Sequence, residues 1–168
     1  PDPERVAVLT QTTLSVDDTQ AIIGVLRQRF PALHFPSKDD ICYATQNRQT
    51  SVKELAQQSD LVLVLGASNS SNSQRLREVA FQAGVPAYLI NDHMEIDPEW
   101  LAGVSVVGIT SGASTPDFLV QETVDTLRAY GNPVVEPMTI VEEGVHFALP
   151  RERSEEHTSE LQSHHDLV

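Results

Sequence analysis

One thiol stands out for its company. Cys42 lies in the stretch Asp39-Asp40-Ile41-Cys42-Tyr43-Ala44-Thr45-Gln46-Asn47-Arg48-Gln49 and is the only cysteine in 168 residues. A thiolate is a nucleophile and a metal ligand, and neighbouring hydroxyls and amides can hold it where it is reachable. The competing use of such a residue is as a small buried hydrophobe. Three further segments are rich in hydroxyls and amides: Thr10-Gln11-Thr12-Thr13-Leu14-Ser15, Ser68-Asn69-Ser70-Ser71-Asn72-Ser73 and Thr110-Ser111-Gly112-Ala113-Ser114. Ser70, Ser71, Asn72 and Ser114 are neutral hydrogen-bond donors of the kind that can grip a phosphate. Serine and asparagine also cap helices with no ligand involved. Neither a Walker A pattern nor Gly-x-Gly-x-x-Gly occurs, so a nucleotide is not indicated.

The elements around these segments decide between the two readings. Arg5 to Thr10 is apolar and β-branched, which predicts a strand. Ser15 followed by Asp18 resembles a capping box and opens a helix through Ala21, Ile22, Val25, Leu26 and Phe30, closed by Pro31 and Pro36. Beyond Cys42, Val52, Leu55 and Ala56 form one helix face. Asp60 to Gly66 is apolar throughout its middle, as expected of a parallel strand covered on both sides. A helix carrying Leu76, Val79, Ala80 and Phe81 follows and ends at Gly84. Pro86–Ile90 and Val104–Ile109 read as strands, with a short Asp97-Pro98 helix between them. Thr115-Pro116-Asp117 caps a last helix through Phe118, Leu119, Val120, Val124 and Leu127. Val134-Val135 and Val145–Leu149 read as a trailing extended segment. Strands alternating with helices at this pitch predict an α/β fold with an open parallel sheet. Each hydroxyl-rich loop then falls at the carboxyl end of a strand, where ligands bind.

Composition narrows the partners. The formal charge is -13, which argues against nucleic acid, whose binders present basic patches. No apolar run approaches the roughly 20 residues that span a bilayer, so no membrane partner is indicated. One cysteine forbids an internal disulfide and fits a reducing compartment. The chain opens at Pro1 without a Met, as a truncated start would. Residues 153–168 lack any sustained apolar period and resemble the translation of a sequencing-library adapter; they read as non-native. Without that tail the charge is -10, since one arginine and four acids leave with it, and the His164-His165 pair carries no metal reading. His34, His93 and His146 stand at no ligand spacing and read as structural or surface groups, and Arg48, Arg75 and Arg77 read as solvated helix-face cations.

Taken together, the Cys42 stretch and the three hydroxyl-rich segments, in this order, resemble 4-hydroxy-3-methylbut-2-enyl diphosphate reductase. The resemblance runs from about Arg5 to Pro150 and covers the later half of a family member. It implies an iron–sulfur oxidoreductase of non-mevalonate isoprenoid synthesis, built from three similar α/β units around a central cluster. Residues 1–37 would finish the middle unit, 38–131 form the third, and 132–152 run back across the assembly. By the same resemblance Cys42 is the last of three cysteines holding a 4Fe-4S cluster. Thr12 stands near the substrate hydroxyl and is the catalytic position present. Thr12, Ser70, Ser71, Asn72 and Ser114 match the substrate-contacting set, with Ser70, Asn72 and Ser114 on the diphosphate; Thr13, Thr45 and Asn47 support them.

The implied reaction converts 4-hydroxy-3-methylbut-2-enyl diphosphate to isopentenyl and dimethylallyl diphosphates. Ferredoxin or flavodoxin is the implied electron donor, and the cytoplasm (or the plastid, in a plant or alga) the implied location. The other two cluster cysteines, the substrate histidines and the proton-donating glutamate belong to the earlier half, so this stretch alone is expected to be inactive. Two rivals remain. Gly108-Ile109-Thr110-Ser111-Gly112 nearly spells a hydrolase nucleophile elbow, with Thr110 in the nucleophile's place. A phospho-ligand binding module without a redox centre is the other.

Overall fold

The computed structural model describes residues 2, 4–35, 41–131 and 133–138. At its centre is a three-stranded parallel sheet in the order β2-β1-β3, with β1 at Leu61–Leu65, β2 at Ala87–Ile90 and β3 at Val107–Ser111. β1 is buried along its whole length because successive side chains point to opposite faces and both faces are covered. Val62 and Val64 pack with Val52 and Ala56 of helix α2 (Tyr43–Gln57) and with Leu76, Val79 and Ala80 of α3 (Ser71–Gln82). Leu61, Leu63 and Leu65 face the other way, onto Trp100, Leu119 and Leu127, the last two on α4 (Asp117–Arg128).

The order of the strands fixes where a ligand can enter. From β1 the chain crosses by α3 to β2 on one side, while β3 pairs with the other side of β1. α3 covers one face and α4 the opposite one. Beyond the carboxyl ends of β1 and β3 the two connections therefore part, which is the topological switch point where open α/β sheets bind ligands. α2 runs antiparallel to β1, since only Gln58 to Asp60 join them, and this brings the start of α2 to the same carboxyl edge.

The predicted fold class holds, and several local readings need correction. Residues 5–10 form no strand of the sheet; Ala7 makes an isolated parallel bridge to His34, through Val8 N–H to His34 O and His34 N–H to Val6 O, both 3.0 Å. Helix α1 (Val16–Arg29) forms as expected, with Ser15 accepting from Asp18 N–H. Its apolar face is uncovered among the described residues: Ile22 is 61% and Val25 65% exposed. β3 starts three residues later than the sequence indicates. The Asp60 carboxylate takes the Ser105 and Val106 N–H groups, each at 2.9 Å, so that segment ends a turn instead of opening a strand. Of the four apolar residues noted on the helix that ends at Gly84, Leu76, Val79 and Ala80 are buried and Phe81 is largely exposed.

Asp97 caps a short 3-10 turn at Pro98–Leu101, and a second such turn spans His93–Glu95. Tyr88 and Trp100 stack face to face at 3.8 Å. Val134 and Val135 are exposed and belong to no strand. The readings at Pro36, the 37/38 boundary, Val145–Leu149 and 153–168 lie outside the described residues.

Candidate functional site at the carboxyl edge of the sheet

Four helix starts meet the carboxyl edge. Cys42 is the N-cap of α2, extended in backbone and exposed. Its Sγ lies 2.9 Å from Thr45 Oγ1, one turn into the helix, and Thr45 is buried. The thiol is thus held by a hydroxyl on one side and open to solvent on the other. It is not sunk in hydrocarbon, and it stands at the start of a helix.

The β1 and β3 loops are built around Ser73, which is 1% exposed. Its hydroxyl occupies the space a Cβ would need at both Gly66, just after β1, and Gly112, just after β3. A methyl group at either position would run into Ser73 Oγ, so both glycines serve close approach. Gly112 N–H and Thr115 Oγ1–H both donate to Leu65 O, at 2.8 and 3.0 Å, stitching the two loops together. Thr115 was expected to cap α4; its hydroxyl is committed to this cross-loop bond, and Pro116 holds the cap position with no side-chain bond.

Ser70 is the N-cap of α3 and accepts from Ser73 N–H at 3.3 Å and from Ser73 Oγ at 3.1 Å. Ser71 is the first residue of the helix and is exposed; Asn72 follows, with its Nδ2 buried and lacking any acceptor among the described residues. Ser114 is exposed in the β3–α4 loop. Asn47, five residues after Cys42, likewise has a buried Nδ2 without an acceptor among the described residues. Donors in this state are costly unless something supplies an acceptor.

Arg48 departs from its sequence reading. Instead of lying along a solvated helix face, it is part-buried and reaches from α2 to donate to Ser111 O at 3.2 Å, at the end of β3. Gln49, 2% exposed, fastens the third hydroxyl-rich loop: its Oε1 accepts from Val16 N–H at 3.0 Å and its Nε2 donates to Leu14 O at 2.8 Å. Lys53 pairs with Asp17 and Arg75 with Asp18 and Glu78. Thr12 is exposed in the turn just ahead of this anchor, and Thr13 is half-buried beside it.

Sequence reasoning missed Ser73, Gln49 and the two glycines. Ser73 carried a signal in its i+3 spacing from Ser70, whereas the long-range bonds of Gln49 left none. Thr110 and Ser111 lie within β3 in register with Val64 and Leu65, which is not the sharp turn a nucleophile elbow requires. His93 sits 3.6 Å from Glu122.

A cluster needs several thiolates. This chain offers one, and among the described residues no three metal-binding side chains come together. Cys42 suits a single ligand position by exposure and setting, and it is the one thiol the sequence holds.

The fold and edge define a parallel α/β domain that carries hydroxyl and amide donors and one exposed thiol on the helix starts and loops at the carboxyl ends of its strands. The profile of the LytB protein family matches residues 1–128, and the chain belongs to that family. It is 55% identical over 150 residues to the 4-hydroxy-3-methylbut-2-enyl diphosphate reductase of Ralstonia nicotianae, covering 89% of this chain and 46% of that protein. A Psychrobacter protein of the same name is 52% identical, over 90% of this chain and 48% of its own length. Among solved structures, the E-1-hydroxy-2-methyl-but-2-enyl-4-diphosphate reductase of Plasmodium falciparum superposes with a TM-score of 0.68 at 33% identity, covering 94% of this chain and 49% of that one. The chain thus spans about half the length of the curated relatives it matches. No helix among the described residues is long and apolar enough to cross a membrane.

Proposed function

We propose that this chain forms the cluster-capping, diphosphate-gripping half of an enzyme that reductively removes the hydroxyl of 4-hydroxy-3-methylbut-2-enyl diphosphate. The observation that carries this reading is the set of unspent donors at the switch point: the buried Asn72 Nδ2, with Ser70 in the same first turn of α3, in a chain whose relatives bear that enzyme's name. Ser70, Asn72 and Ser114 bind the diphosphate by neutral hydrogen bonds supported by the N-terminus of α3, and Ser71 contacts the substrate beside them. Cys42 supplies one thiolate to a 4Fe-4S cluster, with Thr13, Thr45 and Asn47 in support. Thr12 holds the end of the substrate that bears the hydroxyl.

When bound, such a cluster supplies electrons and an open iron acting as a Lewis acid. Overall, two electrons and two protons release the hydroxyl as water and leave isopentenyl or dimethylallyl diphosphate. Ferredoxin or flavodoxin serves as donor, in the cytoplasm or, in a plant or alga, the plastid. Residues 1–37 finish a middle α/β unit, 38–131 make the third of three units around the cluster, and 132–152 return across them.

The test uses a full-length polypeptide carrying this segment, reconstituted anaerobically with iron and sulfide. Substrate-dependent formation of the two products, lost in Cys42→Ser together with the broad absorbance near roughly 400 nm, supports the assignment. A plain phospho-ligand module would bind the diphosphate equally well with Cys42→Ser and show no turnover in either form.

A further inference from the structure

We infer that Ser73 is a positioning residue, which turns Ser70 into a dedicated hydrogen-bond donor and sets the spacing of the two loops that grip the ligand. This rests on the diphosphate reading of the same crevice. A serine hydroxyl has one proton and two lone pairs. At Ser70 both lone pairs are engaged by Ser73, one by its N–H and the other by its O–H. The Ser70 proton is then all that remains for bonding, and no acceptor takes it among the described residues. Ser70 is half-buried at the N-cap of α3, the position that faces an incoming anion.

An ordinary N-cap serine accepts one bond and its hydroxyl rotates freely. Here the second bond removes that freedom and polarises the O–H outward, as chained hydrogen bonds do. Ser73 can do this because its hydroxyl sits in the gap left by Gly66 and Gly112, against the bonds that tie both loops to Leu65 O. One buried side chain thereby sets the donor on the β1 loop and its distance from the β3 loop that carries Ser114.

The test is a phosphorus-31 NMR titration of this chain with inorganic pyrophosphate, reading affinity and the bound shift, with thermal melts to check folding. Ser73→Ala should stay folded and bind about fivefold more weakly, the worth of one neutral hydrogen bond. Its bound shift should move toward that of Ser70→Ala. The double variant Ser70→Ala/Ser73→Ala should bind no worse than Ser70→Ala alone, because Ser73 acts through Ser70. Gly112→Ala, whose methyl displaces the Ser73 hydroxyl, should reproduce the loss and gives a second reading if Ser73→Ala is unstable. Unchanged affinity and shift in Ser73→Ala, or losses that simply add in the double variant, would overturn the inference while Ser70→Ala still reported on the crevice. Should the unaltered chain show no response to pyrophosphate at millimolar concentration, the diphosphate reading fails and this one with it.

Discussion

At the scale of single residues, the decisive contrast is between polar groups that are spent and those that are not. Thr115, Gln49 and Ser73 are buried or half-buried and fully committed to holding loops, whereas Cys42 and Asn72 keep bonding capacity. Cys42 was legible from its neighbours, since a thiol among hydroxyls at the start of a helix is placed for reach. One consequence is that an aromatic disulfide reagent should titrate one thiol per chain under native conditions; a thiol that reacts only in denaturant would refute its exposure. At the opposite, amino edge of the sheet, Asp60 has its carboxyl held below the ordinary range by the Val106 and Ser105 N–H groups. A depressed folded value means its contribution is present above the unfolded value of about 4 and fades as pH falls through the folded one. Asp60→Asn should therefore melt lower than the unaltered chain at neutral pH, with the gap closing in acid. A gap that persists at low pH would show that charge is not the cause.

Elements reveal what the sequence could and could not convey. The five apolar residues of β1 and the i, i+3, i+4 faces of α2 and α3 predicted a covered parallel strand, and they form one. Leu63→Ala, which empties a site with no exposure at the centre of that strand, should destabilise the domain by about 2–5 kcal/mol in denaturant titration. Residues 5–10 misled because a β-branched apolar run specifies extended backbone but not a partner, and here only Ala7 finds one. The start of β3 misled because the competing acceptor, Asp60, lies 45 residues from Ser105 in sequence.

α1 was predicted from its cap and period, yet Gln49 and two ion pairs, not an apolar face, secure it to the rest. Gln49→Leu should leave Leu14 O and Val16 N–H without these partners. Hydrogen exchange should then quicken throughout α1 while the β1 amides keep their protection. Equal quickening in both would mean that α1 and the sheet open as one unit.

For the molecule as a whole, fold class and ligand edge follow from the alternation of strands and helices, because a parallel sheet with order β2-β1-β3 has one switch point. The chemistry at that edge is less fully contained. To bind a diphosphate, as proposed, a chain this acidic would need local N–H and O–H donors, and Ser70, Asn72 and Ser114 are donors of that kind. It has one thiol where a cluster requires several. Those facts fit a half-site, in a chain about half as long as its curated relatives.

The most direct measurement is a proton–nitrogen correlation spectrum of this chain titrated with 4-hydroxy-3-methylbut-2-enyl diphosphate. Shifts confined to the amides of Thr12 to Ser15, Gly66 to Ser73, Gly112 to Asp117 and the first turn of α2, and abolished by Ser70→Ala/Asn72→Ala/Ser114→Ala together, are the predicted result. Shifts centred on the amino edge of the sheet, or undiminished in the triple variant, would contradict it.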